Sequence, residues 1–306
     1  MARPSPGVAR VVAVLDHLSA HPDRAYGLSD LSRQLSINKA TAHALLGELT
    51  DAGYVVRDPI DKTYTLGPRL LAIGLSAARP DQDALERARA HLRRLAELYD
   101  TRCVATTVRG NDFVVLCAAG RDRLLAPTLL PGHRIPFDPP LGTSFLVNAK
   151  SAEVERWLAR AGRPLSDDER DGYRRAIGAV RTLGCSLSLD VATRPQLAEA
   201  VVADDRPSPD LVHALGDQGY LLTDLQPGER YRLSVVSAPV IAANGRVSLA
   251  LTIYDLTGTR TADEVRDIAT RLVEAATAVT EAIGGTPLVP SRRQVVPRFA
   301  PRDADR

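Results

Sequence analysis

The stretch SINKATAHALLGEL, Ser36 to Leu49, decides how this chain is read. Its apolar residues recur at helical spacing, so that Ala42, Leu45, Leu46 and Leu49 share one face. The opposite face is nearly bare: Ala40, Ala44 and Gly47 lie beside His43, with Lys39 and Thr41 at the flanks. The outer face of an amphipathic helix normally carries charged and polar side chains. Small residues there suit close approach to another body, as when a helix enters the major groove of DNA. They equally describe an Ala-rich surface helix, so the surrounding elements have to arbitrate.

Upstream, Val8, Val11, Val12, Leu15 and Leu18 predict an amphipathic helix, and HPDRAYG (His21 to Gly27) a turn. Leu28 to Leu35 predicts a second helix, with Ser29 as N-cap, and SIN (Ser36 to Asn38) a tight turn into the third helix. That helix runs to about Ala52 and stops at Gly53. Downstream, YVVRD (Tyr54 to Asp58) and KTYTLG (Lys62 to Gly67) flank the turn PID and predict a hairpin, and Pro68 opens another helix. Three helices followed by a hairpin make a winged helix-turn-helix. In that setting Ala40 and Ala44 can meet thymine methyl groups, and His43 a base edge or a phosphate. Asn38, Lys39 and Thr41 flank them at the helix start, Lys39 and Thr41 being suited to phosphate. Arg57, Lys62 and Arg69 belong to the wing, and Arg33 on the second helix is a further phosphate candidate. For Lys62 and Arg33, solvated surface charge is the competing reading.

From Asp81 to Asp100 a longer helix, with Leu85, Ala88, Leu92, Leu95 and Leu98 on its apolar side, reads as a connector. Thr101 to Gly110 and Asp112 to Gly120 are β-rich and hinge at Gly110-Asn111. SDDE (Ser166 to Glu169) and TADE (Thr261 to Glu264) have capping-box spacing, and predict helices ending near Leu183 and Ile283. Between them, Tyr231 to Asp255 reads as two strands around Asn244-Gly245. PPLGTS (Pro139 to Ser144) resembles a capped helix start, whose N–H groups and hydroxyls suit an anion or merely satisfy a turn. Pro287, Pro290, Pro297 and Pro301 mark a tail expected to be disordered.

Composition limits the function classes. With 306 residues, 44% hydrophobic and 25% charged, the profile is globular and the length favours two domains. Net charge is +2, and residues 1–78 carry 8 Lys/Arg against 7 Asp/Glu, which implies no large sequence-independent hold on nucleic acid. No apolar run reaches the roughly 18 residues of a membrane span, and the N-terminus has no signal-peptide core; a cytoplasmic location is expected. Cys103, Cys117 and Cys185 form no CxxC pair. The six histidines are scattered; His17 and His21 stand four apart in HLSAH but without the Glu of an HExxH zinc motif, and no metal site is expected. LGTSF is not a GxSxG elbow, and neither a Walker loop nor GxGxxG occurs. No catalytic residue and no cofactor is expected.

The order of these pieces resembles the IclR family of bacterial transcriptional regulators. The residues that carry the resemblance are ARVVAVLDHLSAH, LSDLSRQLSINKATAHALLGELTDAGYVVRD, YTLGPRLLAIG and SAPVIAANGRVSLALTIYDLTG, within residues 7–285. The resemblance implies an α+β chain. Its parts would be a winged helix-turn-helix at residues 7–78, a linker helix at 79–100, a GAF-like antiparallel sheet flanked by helices at 101–285, and a tail at 286–306. It implies homodimers or dimers of dimers on palindromic double-stranded DNA, without a membrane, controlled by a small-molecule effector. The effector site would be lined by Leu141, Gly142, Thr143, Ser144, Ser234, Val235, Thr252 and Tyr254. Its acidic residue would be Asp190 or Asp224, of which Asp190 is favoured because the preceding helix matches better.

Several positions depart from the family pattern. Ala44 stands where Arg is frequent, PPLGTSFL lacks the usual Lys, Val235 replaces a Cys, and about Val191 to Tyr220 reads as an insertion. A site without Lys or Cys predicts a mid-sized, partly hydrophobic ligand, aromatic ones included, with at most one carboxylate held at the N–H groups after Pro140. The alternative function is a winged-helix module whose third helix contacts a protein instead of DNA.

Overall fold

The computed structural model describes residues 5–78, 82–121, 128–203, 207–256 and 258–288. The chain forms two compact units, Met1–Pro80 and Asp81–Arg306.

In the first unit, helix α1 (Pro6–Ala20) starts on a proline that needs no N–H partner. Strand β1 (Tyr26–Gly27) follows, then α2 (Leu28–Gln34), α3 (Lys39–Asp51), β2 (Val55–Arg57), β3 (Thr63–Leu66) and α4 (Arg69–Ala78). The sheet order is β1-β3-β2, all antiparallel. Three details differ from expectation. Val14 and Leu18 are the buried residues of α1, while Val8 and Val12 are exposed. The buried face is thus rotated from the one the valine spacing outlined, because Val14 and Leu18, four residues apart, meet the core. Gly27, not Ser29, occupies the N-cap of α2. Tyr26-Gly27, expected as turn, pairs with Tyr64 and Thr63 as a third strand.

The α2–α3 corner is set by local chemistry. Ser36 takes a left-handed backbone (φ 54°), and the Ser32 hydroxyl donates to the Ile37 carbonyl at 2.6 Å. The Asn38 side chain then accepts the Thr41 N–H at 2.8 Å, capping α3. Leu31, Ile37, Ala42, Leu46, Leu49, Val55 and Tyr64 form the core beneath these turns.

In the second unit, α5 (Gln82–Tyr99) leads into β4 (Arg102–Arg109), β5 (Asp112–Ala119) and β6 (Arg134–Pro136). A 3-10 turn (Thr143–Leu146), α6 (Ser151–Leu158), α7 (Asp167–Leu183) and β7 (Ser186–Leu189) follow. Next come α8 (Arg194–Val202), α9 (Pro209–Asp217), β8 (Leu221–Leu222), β9 (Arg230–Tyr231), β10 (Leu233–Ile241), β11 (Val247–Tyr254), β12 (Arg260–Thr261) and α10 (Ala262–Ala282). Seven strands form an antiparallel sheet in the order β6-β5-β4-β11-β10-β7-β8.

One face of this sheet packs against α5 and α10. Cys103, Ala105, Val236, Ala238, Leu251 and Ile253 meet Leu92, Leu95, Leu272 and Val279 there. Leu98, expected on the apolar side of α5, is exposed, and Ala84 and Ala96 are buried instead. Desolvation pushes the buried Cys103 and Cys185 thiols up to about 12, so neither is a reactive thiolate. The other face packs against α6–α9 through Val104, Val115, Trp157, Ile177, Leu197, Val212 and Leu215. Helices α8 and α9, which lie within the segment read as an insertion, contribute Leu197, Val201, Val212 and Leu215 to that core. Ser166 and Thr261 cap α7 and α10 in reciprocal capping boxes with Glu169 and Glu264. The proline-marked tail from residue 289 lies outside the described residues.

Candidate functional site

On α3 the exposed residues are Lys39, Ala40, His43, Ala44, Gly47, Glu48 and Asp51, while Ala42, Leu46 and Leu49 are buried and Thr41, Leu45 and Thr50 half-buried. The expected bare face is therefore a surface. A side-chain carbon added at Gly47 would meet no atom within 4 Å. Asn38 belongs to the framework of this face, since its oxygen is used in the cap. Arg33 is exposed and ion-paired with Asp30 at 2.8 Å, a surface pair that a phosphate would have to displace.

On the wing, Arg57 lies 5.9 Å from the Tyr64 ring centroid, and Lys62 holds a left-handed turn position (φ 55°). The Asp58 carboxylate accepts the N–H groups of Ile60 and Asp61 at 2.7 and 2.9 Å. Those bonds hold its carboxyl below the usual range and keep a negative charge at the tip. Arg69 is not on the wing; it opens α4, its N–H donating to the Gly53 carbonyl.

The second candidate lies on the sheet face under α6–α9. Ser237 faces Thr252 of β11 and Ser186 of β7, and one rung along Val235 faces Tyr254 and Ser188. The Ser237 hydroxyl lies 2.9 Å from that of Thr252 and 3.3 Å from that of Ser144, so three hydroxyls form a chain. A cavity of 70 Å³ opens over this row, with Leu141 to Phe145, Tyr220 and Leu221 completing its lining. An adjoining cavity, also 70 Å³, shares Ile135, Leu141, Tyr220, Val235 and Tyr254 with it and adds Arg102, Arg194 and Asp255. Arg194, on α8, is ion-paired with Asp255, and Arg102 donates to the Leu129 carbonyl at 2.9 Å. Desolvation pushes the Tyr220 and Tyr254 phenols above their ordinary values, keeping both as neutral hydrogen-bonding groups.

Most of the expected site residues gather here: Leu141, Gly142, Thr143, Ser144, Val235, Thr252 and Tyr254 line the first cavity. Three expectations are corrected. Ser234 lies behind the wall, its hydroxyl donating to the carbonyls of Ser188 and Leu189 at 3.3 and 3.0 Å. Asp190 pairs with Arg232 at 3.0 Å and lines neither cavity. Asp224 accepts from Leu225 N–H and the Gln226 side chain, and lines neither cavity. The turn after Pro140 is a four-residue 3-10 segment, too short to present an α-helical N-terminus. Its Gly142 has φ 94°, and an added Cβ would come within 2.3 Å of Phe113.

Sequence reading missed Ser237, Ser186, Ser188, Tyr220 and Arg194. The signal for Ser237 was strand parity: if Thr252 and Tyr254 share a face, their neighbours on β10 must alternate too, so Ser234 and Val235 cannot both join them. Arg194 carried no such signal, because its helix reaches the cavity only through tertiary packing.

The comparisons agree with this architecture. The model of the IclR helix-turn-helix domain matches residues 7–59. The Glycerol operon regulatory protein of Streptomyces griseus is 41% identical over 76 residues, which is 25% of this chain and 30% of that protein. The chain thus matches less than a third of that relative's length. Its fold is similar to that of the IclR of Thermotoga maritima (TM-score 0.59, 15% identity, 90% of this chain and 98% of that one). It is also similar to an IclR homolog from Microbacterium hydrocarbonoxydans solved with 4-hydroxybenzoate (TM-score 0.53, 20% identity, 90% and 98%). No helix of the described residues is long and apolar enough to cross a membrane. The chain thus carries an IclR-type helix-turn-helix domain at residues 7–59, and its fold over 90% of its length is similar to that of solved IclR proteins.

Proposed function

We propose that this chain is a ligand-responsive transcriptional regulator that binds palindromic operator DNA as a homodimer through α3. The observation that carries the reading is the exposed face of α3, on which Lys39, Ala40, His43, Ala44 and Gly47 leave the backbone accessible to a groove. His43 is the longest polar side chain at the centre of that face and is assigned to a base edge. Lys39, Arg57 and Lys62 are assigned to phosphates. A near-neutral unit with few cations gains useful affinity by engaging two half-sites at once, which supports the dimer. Selection and sequencing of DNA fragments retained by the purified protein is expected to return an inverted repeat. His43→Ala is expected to relax the preference within each half-site. Lys39→Ala is expected to weaken all sequences alike, and to lower the salt slope by about one unit. Footprints of both variants identical to the parent's would remove α3 as the reader.

The effector is assigned to the paired cavities. Phe113 and Phe145, with ring centroids 5.2 Å apart, stand beside a row of hydroxyls, and Arg102 and Arg194 are the cations on the far side. This set suits a mid-sized, partly hydrophobic molecule, an aromatic ring with one carboxylate among them. The carboxylate would take the place of Asp255 on Arg194, and a ligand hydroxyl would meet Ser237 and Thr252. The Microbacterium homolog's complex with 4-hydroxybenzoate, which has that chemistry, supports the class. In thermal-shift titrations with monocyclic aromatic acids, Arg194→Gln and Thr143→Val are each expected to weaken the response of the full chain about tenfold or more. Stabilisation only by very small dicarboxylates or glyoxylate-like acids, or an unchanged response in both variants, would overturn this cavity assignment.

A further inference from the structure

Away from the hydroxyl-lined cavity, Glu169, His213 and Asp217 converge where α9 packs beside the start of α7. One donor atom from each lies within 4.8 Å of the other two. His213 is only 7% exposed, and neither of its ring nitrogens has a hydrogen-bond partner among the described residues. A buried imidazole left unpartnered costs free energy that a native fold normally recovers through a water or an ion. His213 and Asp217 are one helical turn apart on α9, so they share a face. Glu169 occupies the third position of α7, where the capping box directs its carboxylate.

The charge in the cluster is incomplete. Arg163 serves both acids, at 2.5 Å from Glu169 and 3.4 Å from Asp217, and leaves His213 untouched. One guanidinium against two carboxylates leaves a net negative charge beside a free imidazole lone pair.

We propose that Glu169, His213 and Asp217 form a binding site for a divalent transition metal, Zn²⁺ above all, with Arg163 as the cation it displaces. One imidazole nitrogen and two carboxylate oxygens are a donor set suited to zinc, and the imidazole disfavours Mg²⁺ and Ca²⁺. Tetrahedral donors about 2.1 Å from zinc stand roughly 3.4 Å apart, so the three groups must draw together by an ångström or so. Asp217 has that freedom, with its side chain 62% exposed, and Arg163 is itself partly exposed and able to swing outward.

Metal here would clamp α9 to α7. Tyr173, one turn along from Glu169, already bridges the two helices: a Cβ at Gly216 would come within 2.7 Å of its hydroxyl. A groove beside the cluster is lined by Pro140 and Leu221, which also line the hydroxyl-bearing cavity. A clamp at this point would stiffen the rear of that cavity, giving the protein a second chemical input. The inference stands whether or not the DNA-binding reading does, since it is tested on the metal alone.

The experiment is calorimetric titration of metal-free, full-length protein with Zn²⁺, with bound metal counted by mass spectrometry. One Zn²⁺ per chain is expected to be lost on chelation. Asp217→Asn, at an exposed carboxylate, and His213→Gln are each expected to weaken binding at least tenfold, with circular dichroism confirming the fold. Arg163→Gln removes the competing cation and is expected to tighten binding, whereas an ordinary ion-pair cluster would gain no metal from that change. Absence of uptake by both the parent and Arg163→Gln would overturn the proposal. So would uptake unaffected by Asp217→Asn and His213→Gln, which would place the metal at other histidines.

Discussion

Ala44→Glu is expected to abolish operator binding while leaving the protein folded. Ala44 is exposed on α3, and the buried side of that helix is carried by Ala42, Leu46 and Leu49. Glutamate is a good helix former, so the change costs the helix only a few tenths of a kcal/mol. Against DNA the same side chain sets a carboxylate among phosphates and fills the space that lets the helix approach. A repulsive charge at such a contact costs several kcal/mol, which is about a thousandfold or more in affinity. Fluorescence anisotropy at fixed salt measures the loss, and thermal unfolding checks the fold. Full affinity in a folded variant would mean that α3 faces a protein partner or nothing.

Gly67→Ala is expected to destabilise the first unit by about 3 kcal/mol or more. A Cβ at Gly67 would lie 2.3 Å from the Gly53 carbonyl oxygen and 2.8 Å from the backbone atoms Tyr54 C and Val55 N. These are main-chain atoms, so no rotamer change relieves the clash. They belong to the junction where the wing returns beneath the end of α3: Gly67 N–H donates to the Tyr54 carbonyl at 2.7 Å, and Arg69 N–H to that of Gly53. Opening this junction separates β2 and β3 from α3, so the unit should lose its own unfolding transition or show it at a much lower denaturant midpoint. An unfolding free energy within about 0.5 kcal/mol of the parent's would show that Gly67 is not packed against the Gly53–Val55 backbone.

In the first unit, the pattern of short-range signals led to the architecture. The spacing of Leu31, Leu46 and Leu49, the turn at Ser36 to Asn38 and the β-rich runs beside Pro59-Ile60-Asp61 are properties of neighbours along the chain. The α3 surface was legible for the same reason, since a helix wheel separates its buried and exposed faces without reference to anything distant. Gly53 as a stop and both capping boxes were equally local. What parity alone could have added was Ser237 in place of Ser234, since a strand sends successive side chains to opposite faces.

The cavity, its charge and the metal cluster belong to the tertiary structure. Ser237, Thr252 and Ser144 meet only because β10 and β11 pair in one register and the 3-10 turn folds over them. Asp190 was favoured over Asp224 by the helix that precedes it, yet Arg232, 42 residues away, pairs with its carboxylate. Arg194 enters the second cavity from a segment that had no recognisable pattern. Glu169 and His213 are 44 positions apart, and only the packing of α9 beside α7 turns two isolated residues into a pair. Periodicity reports which face of an element is buried; which distant face it is buried against depends on packing, and that is where the chemistry of the second unit was decided.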